Sequence, residues 1–553
     1  YERRDTRMST KHRLNVAFVW HMHQPYYKDD ARNVYAMPWV RLHGVKDYYP
    51  MASLLERFDT ARAVFNFVPV LVEQINDYAR NNARDTLLEL SIKRPQDMDL
   101  ADRREALCGF FKVRYKQVIE PNKRYFDLLV KRGVNITAAQ LQRSAERFSE
   151  CELLDLQVLF NLSWFHSISF DEDKNLQSIR AKEQQYTESD KQYVLQKQHE
   201  ILTKIIPLYR RLQEAGRIEI SCSPYYHPIL PLLCDTNIAR VPSPKLPLPA
   251  RRFSHPEDAK RQIIDAIAYH TTNFGSPPRG MWPSEGSVSD KALELIAEAG
   301  IRWIAADEDI LFATLKKMKA RKAADRTMLY RPYRIEKKSG SVAAIFRDKN
   351  LSDLISFNYH SWAPEAAAED LFGHFSAIHE NFSAGKHERL ATIVMDGENA
   401  WEYYHDNGRQ FFETLYGRFD TSDTIKTTTV RDYLRREPPK RTLDLIVPGS
   451  WINRNFEVWI GNTQKNLAWE YVGIARDELM KASKRGIPAE KIRKAWRELF
   501  ITEGSDWNWW HTFDSGTSGR DSFESLFRMH LKTIYALIGS RIPKYLKKVL
   551  HKL

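Results

Sequence analysis

The chain is poor in cysteine and has no long apolar run. Its 553 residues hold four cysteines, Cys108, Cys151, Cys222 and Cys234, and no two form a CxxC pair. That excludes a disulfide-framed scaffold and predicts reduced, buried thiols. No stretch is apolar for the length of a membrane helix, and no charged-then-apolar leader opens the sequence. No membrane partner is expected, and the expected compartment is the cytoplasm. The chain begins at Tyr1, while Met8 opens MSTKHRLNVAFVW, so residues 1–7 read as upstream of the native start. There is no GxxxxGK and no GxGxxG after a strand, which argues against ATP or dinucleotide chemistry. No internal repeat and no low-complexity segment is present.

What is abundant is aromatic. Aromatics make up 12% of the chain and include 14 tryptophans, several beside polar residues. That combination suits a cleft that stacks on sugar rings, although large cores also use tryptophan. Lysine and arginine exceed acidic residues by 84 − 71 = 13. The bases are interspersed with acids except in TLKKMKARKAADR and RIPKYLKKVLHKL, so they read as solvated faces and nucleic acid is not an expected partner.

Seven short apolar segments read as strands: residues 14–20, 61–68, 217–223, 279–283, 301–307, 341–348 and 391–396. Helical patterns separate them. The clearest is SVSDKALELIAEAG, where Ser287 or Ser289 caps the start and Gly300 ends the helix. Alternating strands and helices predict a parallel sheet, and more than six such units favour a closed barrel. Residues 75–215 are long, charged and helical, as expected of an insertion between strands. Past residue 415 the strand pattern fades and helices dominate. The division expected is a catalytic unit over 8–415 and a mostly helical unit over 416–553 that contributes a Trp-rich loop at 503–511.

In a parallel barrel the strand ends share one face, and chemistry gathers there. Five segments carry it. In WHMHQPYY, His21 and His23 stand two apart and point the same way on a continuing strand; substrate binding is favoured over half a metal site, because no HxxxH or cysteine partner accompanies them. In GRIEISCSPYYHP, Glu219 lies within an apolar strand, where a carboxylate is costly unless paired; a structural ion pair and a place in the cleft are equally open. In GMWPSEGSVS, Glu285 follows a strand and a rigid loop holding Trp282, although a helix-dipole role is the plainer alternative. In IVMDGENAWEYYHDNG, Asp396 ends a strand and Glu398 follows on the same side. Read alone this is an acidic turn; Trp401 is a wall of the site or packing beneath it. In ITEGSDWNWWHTFDSG, Glu503, Asp506, Trp507, Trp509, Trp510 and His511 crowd together, as sugar recognition requires: ring faces stack and hydroxyls donate to carboxylates. Two carboxylates on different strand ends in a Trp-rich cleft suggest glycoside hydrolysis.

HMHQP, GRIEISCSPYYHP, GMWPSEGSVSD, MDGENAWEYYHDNG and EGSDWNWWH resemble, in that order, the five sequence regions of glycoside hydrolase family 57, across roughly residues 14–515. The α-amylase and amylopullulanase branch is the most similar; 4-α-glucanotransferases and glycogen branching enzymes share the motifs. The resemblance implies an α/β fold, an incomplete (β/α)7 barrel with a helical insertion followed by an α-helical C-terminal domain. It implies a retaining mechanism on α-1,4-linked glucans such as starch, glycogen or maltooligosaccharides, without metal or other cofactor. Glu285 matches the nucleophile and Asp396 the general acid/base. Glu219, Glu398, His23, Asp506 and Trp509 fall on positions used around the substrate. One departure is local: many members carry a cysteine near the nucleophile, where this chain has Ser284 and Gly286 around Glu285. Other readings are a transferase on the same site, a zinc-dependent barrel enzyme using His21 and His23, and a non-catalytic glucan-binding protein.

Overall fold

The structure, a computed structural model, describes residues 13–320, 325–382, 387–510 and 517–550. Twelve strands run in chain order: β1 (Leu14–Met22), β2 (Lys28–Asp29), β3 (Val34–Tyr35), β4 (Ala63–Phe67), β5 (Ile218–Cys222), β6 (Gly280–Met281), β7 (Trp303–Asp307), β8 (Tyr333–Lys337), β9 (Gly340–Arg347), β10 (Arg389–Asp396), β11 (Ile425–Thr427) and β12 (Thr442–Leu443). The spatial order is β10-β1-β4-β5-β6-β7-β9, all parallel, extended by β8 antiparallel to β9 and by β12 beside β8. β11 pairs with the start of β1. The seven parallel strands are the seven expected from the sequence.

Both faces of these strands are apolar, as a sheet covered on both sides requires. The period of two sorts them. On β1, Val16, Phe18, Trp20 and Met22 face the helices, while Ala17 and Val19 face a smaller inner cluster. β4 adds Val64 to that cluster, β7 adds Trp303 and Ala305, β9 adds Ile345, and β10 adds Leu390 and Val394. Strands from across the sheet therefore share one inner core. β9 and β10 form no ladder, but their ends approach: Asp348 N–H donates to Thr392 O at 2.8 Å, and Arg347 Nε donates to Val394 O at 2.8 Å.

Helices fill the connections. Between β4 and β5 the described elements are helical throughout, ending in the 27-residue helix Glu188–Glu214, which Thr187 and Asp190 cap reciprocally. The helix Asp290–Glu298 is capped by Ser289, whose Oγ accepts from Ala292 N–H. After β12 the main elements are the helices Thr463–Ala482, Ala489–Thr502, Asp506–Trp510 and Thr517–Leu537. The Trp-rich segment expected as a loop is thus a short helix. His511 and the side chain of Trp510 lie outside the described residues. The thiols also differ from expectation: all four cysteines are unpaired, but Cys108 and Cys151 are exposed and only Cys222 and Cys234 are buried.

Candidate active site

The inward parity of each strand, followed to its C-terminal end, leads to one cleft of ≈ 820 Å³. On β1 the inward positions 15, 17 and 19 lead to His21 and then His23. On β10, positions 390, 392 and 394 lead to Asp396. Both histidines line the cleft with Glu285, Asp396, Glu398 and Asp506, and Trp39, Trp451 and Trp509 supply aromatic wall. The histidine rings stand 5.7 Å apart, on the same side as the spacing predicts.

Glu285 is held in an uncommon backbone. Its φ and ψ are 58° and 27°, and Gly286 follows at φ 57°. A left-handed non-glycine residue costs about 1–2 kcal/mol, and such strain gathers at functional sites. Gly286 needs its missing side chain, since a Cβ there would stand 2.7 Å from the Trp282 ring. The turn is pinned from outside. Val288 and Gly449 exchange both backbone hydrogen bonds, which brings Trp451 over Glu285. The Trp451 indole N–H donates to Glu285 Oε2 at 2.8 Å, and its backbone N–H donates to Glu285 O at 3.0 Å. The other oxygen, Oε1, stands 3.9 Å from His227 Nδ1.

Asp396 ends β10 beside β1. Gly397 N–H donates to His21 O at 2.8 Å, and a Cβ at Gly397 would overlap the Met22 sulfur, so a larger residue there would have to displace the Met22 side chain. Asn399 Nδ2 donates to Asp396 Oδ2 at 3.0 Å. Glu398 is buried. Its Oε1 accepts from Gln24 Nε2 at 3.1 Å and from His23 N–H at 3.4 Å, while Oε2 has no protein partner. Burial first, and then the charge of Asp396, push Glu398 well above the ordinary carboxyl range.

Both candidate catalytic carboxyls are raised by burial. Burial pushes Glu285 up to about 8; the neighbouring Asp396 charge adds to this and the Trp451 hydrogen bond opposes it. Asp396 is also raised by burial, but the Asn399 hydrogen bond, His23 and Arg347 pull it back. Glu285, raised to about 8, holds its proton through the neutral range. Two carboxyls that interact in this way titrate as a unit.

The imidazoles of His21, His23 and His227 form one wall. Asn66 Oδ1 accepts from His21 Nδ1 at 2.7 Å, leaving Nε2 toward the cleft, and burial lowers His21 to about 3. Burial also holds His227 well below its ordinary value; its Nδ1 pairs with Ser505 Oγ at 3.0 Å and its Nε2 has no protein partner. His23 Nε2 meets Asp506 Oδ1 at 2.9 Å. His23, His227 and Asp506 offer three potential metal-ligand atoms within 4.8 Å of one another. The rings of His23 and His227 are stacked, 4.0 Å between centroids and 29° between planes. Lone pairs of stacked rings run side by side instead of converging, which suits a hydrogen-bonding wall better than a tetrahedral centre.

Three residues expected at the substrate stand elsewhere. Glu219 shares the inward parity of β5 but lies at the start of the strand. Trp303 Nε1 donates to its Oε1 at 2.8 Å, and Arg431 N–H donates to its Oε2 at 2.7 Å, so both oxygens are used in sealing the end of the sheet remote from the cleft. Trp282 is fully buried in the inner cluster and meets Trp451 edge-on at 5.4 Å; it props the residue that holds Glu285. Trp401 packs against Trp20 and Phe412 and donates to Gly397 O at 2.7 Å, so it supports the Asp396 turn from beneath. Glu503, also buried, accepts from Gln262 Nε2 at 2.7 Å, and Trp507 is core.

Trp451, Gln24, Trp39 and Arg347 went unread in the sequence. GSWIN follows a Pro-rich connection and has no acid beside its tryptophan, so nothing local marks it. The signal for Arg347 was its place at the inward end of β9, one layer below Asp396.

Residues 17–446 match the family model of glycosyl hydrolase family 57. Over 236 residues the chain is 23% identical to alpha-amylase 1 of Dictyoglomus thermophilum, a match covering 41% of this chain and 28% of that protein. The chain therefore spans well under half the length of that relative. Among solved structures, the GH57-type branching enzyme of Pyrococcus horikoshii superposes with a TM-score of 0.60 at 17% identity, over 95% of this chain and 89% of that one. The alpha-amylase AmyC of Thermotoga maritima gives 0.59 at 14% identity, over 98% and 96%. These likenesses show a shared α/β fold. With the family match running from β1 past β12, the chain belongs to glycosyl hydrolase family 57.

Proposed function

We propose that the protein is a retaining glycoside hydrolase acting on α-1,4-linked glucans, with Glu285 as nucleophile and Asp396 as general acid/base. The observation that carries this is the pair of carboxyls, Glu285 and Asp396, brought from two strand ends into one aromatic-lined cleft. In the working step, the Glu285 carboxylate attacks the anomeric carbon while Asp396 gives its proton to the leaving oxygen. Water, deprotonated by Asp396, then releases the sugar. The free cleft holds a proton on Glu285, so substrate binding must free that carboxylate and leave Asp396 protonated. A glycosidic oxygen beside Asp396 accepts a hydrogen bond from its protonated form, and positive charge growing at the anomeric carbon favours the Glu285 anion. The His21, His23 and His227 edges, Asp506 and Glu398 supply hydrogen bonds to sugar hydroxyls, and Trp39, Trp451 and Trp509 supply stacking faces.

On this reading the seven parallel strands form an incomplete (β/α)7 barrel, supported by the shared inner cluster and the approach of β9 to β10. Residues 8–415 would be the catalytic unit, and the helical part beyond 415 lends it Trp451, Asp506 and Trp509. No helix among the described residues is long and apolar enough to cross a membrane, and four unpaired thiols fit a cytoplasmic setting. Incubation with starch, pullulan and maltoheptaose, followed by product-length analysis, tests the activity. Short reducing sugars support hydrolysis; products longer than the substrate identify a transferase; no change on any of the three rejects the reading.

A further inference from the structure

Beside the cleft lies a second cavity of ≈ 270 Å³, where the helical segment between β4 and β5 meets the turn after β10. Arg114, Trp164 and Glu402 form the wall common to both. Two polar atoms in its lining have no protein partner, the Trp164 indole N–H and the Tyr186 hydroxyl, although both residues are more than nine-tenths buried. Leaving a buried donor unpaired forfeits the hydrogen bond it had with water. Two in one small cavity point to an occupant that supplies acceptors. At the rim, the Arg180 guanidinium lies 4.0 Å over the Phe170 ring and pairs with no carboxylate among the described residues.

The chemistry of the occupant follows from the walls. The carboxylates of the wall are met, Glu402 by Arg114 at 2.9 Å and Lys46 at 3.7 Å and Asp406 by Ser167 at 2.9 Å with Arg409 nearby, which leaves the Arg180 guanidinium as an added donor at the rim. What remains is aromatic faces interleaved with neutral donors, in about a third of the cleft's volume, which suits one pyranose ring. Resting on the α-glucan reading above, we propose that this cavity is a distal subsite for one glucosyl unit of a chain whose scissile bond lies in the main cleft. The subsite makes the enzyme selective for chain length: glucans long enough to reach it gain affinity, and short ones do not.

The test is calorimetric binding of maltotriose and maltoheptaose to a Glu285→Gln parent, which binds without turnover, and to the same parent carrying Tyr186→Phe or Arg180→Ala. Neither added change touches the main cleft, and Tyr186→Phe removes an unpaired hydroxyl, so folding is retained. The expected result is a loss of about 5- to 20-fold for maltoheptaose with maltotriose unaffected. Equal losses for both sugars, or none for either, overturn the subsite while leaving the catalytic reading intact. A parent that binds neither sugar instead overturns the α-glucan reading, and the subsite with it.

Discussion

Trp451 holds Glu285 by two hydrogen bonds, one from its indole to the carboxylate and one from its backbone to the Glu285 carbonyl. A residue 166 positions away in the chain thereby sets both the rotamer and the charge of the candidate nucleophile. The contact favours the anion against the burial that disfavours it.

The pH profile should report the pair. The active state is the dyad with one proton, so kcat/KM should fall on its basic side near pH 8, where Glu285 gives up the last proton. Trp451→Phe removes a bond that favours the anion. The upper pKa should then rise, moving the basic limb to higher pH, while kcat/KM drops about tenfold from a looser carboxylate. A basic limb that moves down, or stays, contradicts the electrostatic role.

Leaving-group chemistry separates the two acids. Asp396→Asn removes the proton donor, so starch should lose about 10³-fold or more in rate, while a glucosyl donor with an excellent leaving group needs no protonation and should lose far less. Glu285→Gln should inactivate both substrates. The same Asp396→Asn change removes the charge that raises Glu285, so the Glu285 pKa should fall below about 8.

Stability should carry the opposite sign from activity at this position. Glu285 holds its proton more tightly folded than unfolded, so the folded state binds more protons between about pH 4.5 and 8. Stability contributed by this group is therefore lost as pH rises through that window. Glu285→Gln should raise Tm at pH 8–9 by about 1–3 °C and have little effect at pH 4. A Tm difference independent of pH would contradict the raised pKa.

Glu219 should behave as structure. Glu219→Gln keeps one acceptor oxygen for two donors, Trp303 Nε1 and Arg431 N–H, and should destabilise by about 1–3 kcal/mol in denaturant melts. At temperatures where the variant is folded, kcat/KM should match the parent.

The strand segments and the site-bearing ends were legible because both are local. Apolar runs of five to nine residues that end in polar clusters announce a buried parallel strand and its mouth. β8 and β11 were not, since YRIEK alternates exposed and buried positions and IKT is too short to carry a period. Three neighbouring residues stand outside the cleft for a related reason. Glu219, Trp282 and Trp401 lie close in sequence to true cleft residues, but depth along a strand and the side of a turn are not written in the spacing. Glu219 is three residues short of the strand end that matters. Trp451 was invisible because its role depends on the Val288–Gly449 pairing, which only the folded chain brings about.

The account turns on which carboxylate becomes covalently bonded to sugar. Incubating the enzyme with a 5-fluoro-α-glucosyl fluoride, which slows release of the intermediate, and mapping the modified peptide by mass spectrometry tests this. The expected result is one glucosyl adduct on the peptide containing Glu285. An adduct on Asp396, or inversion of anomeric configuration with no adduct, would contradict it.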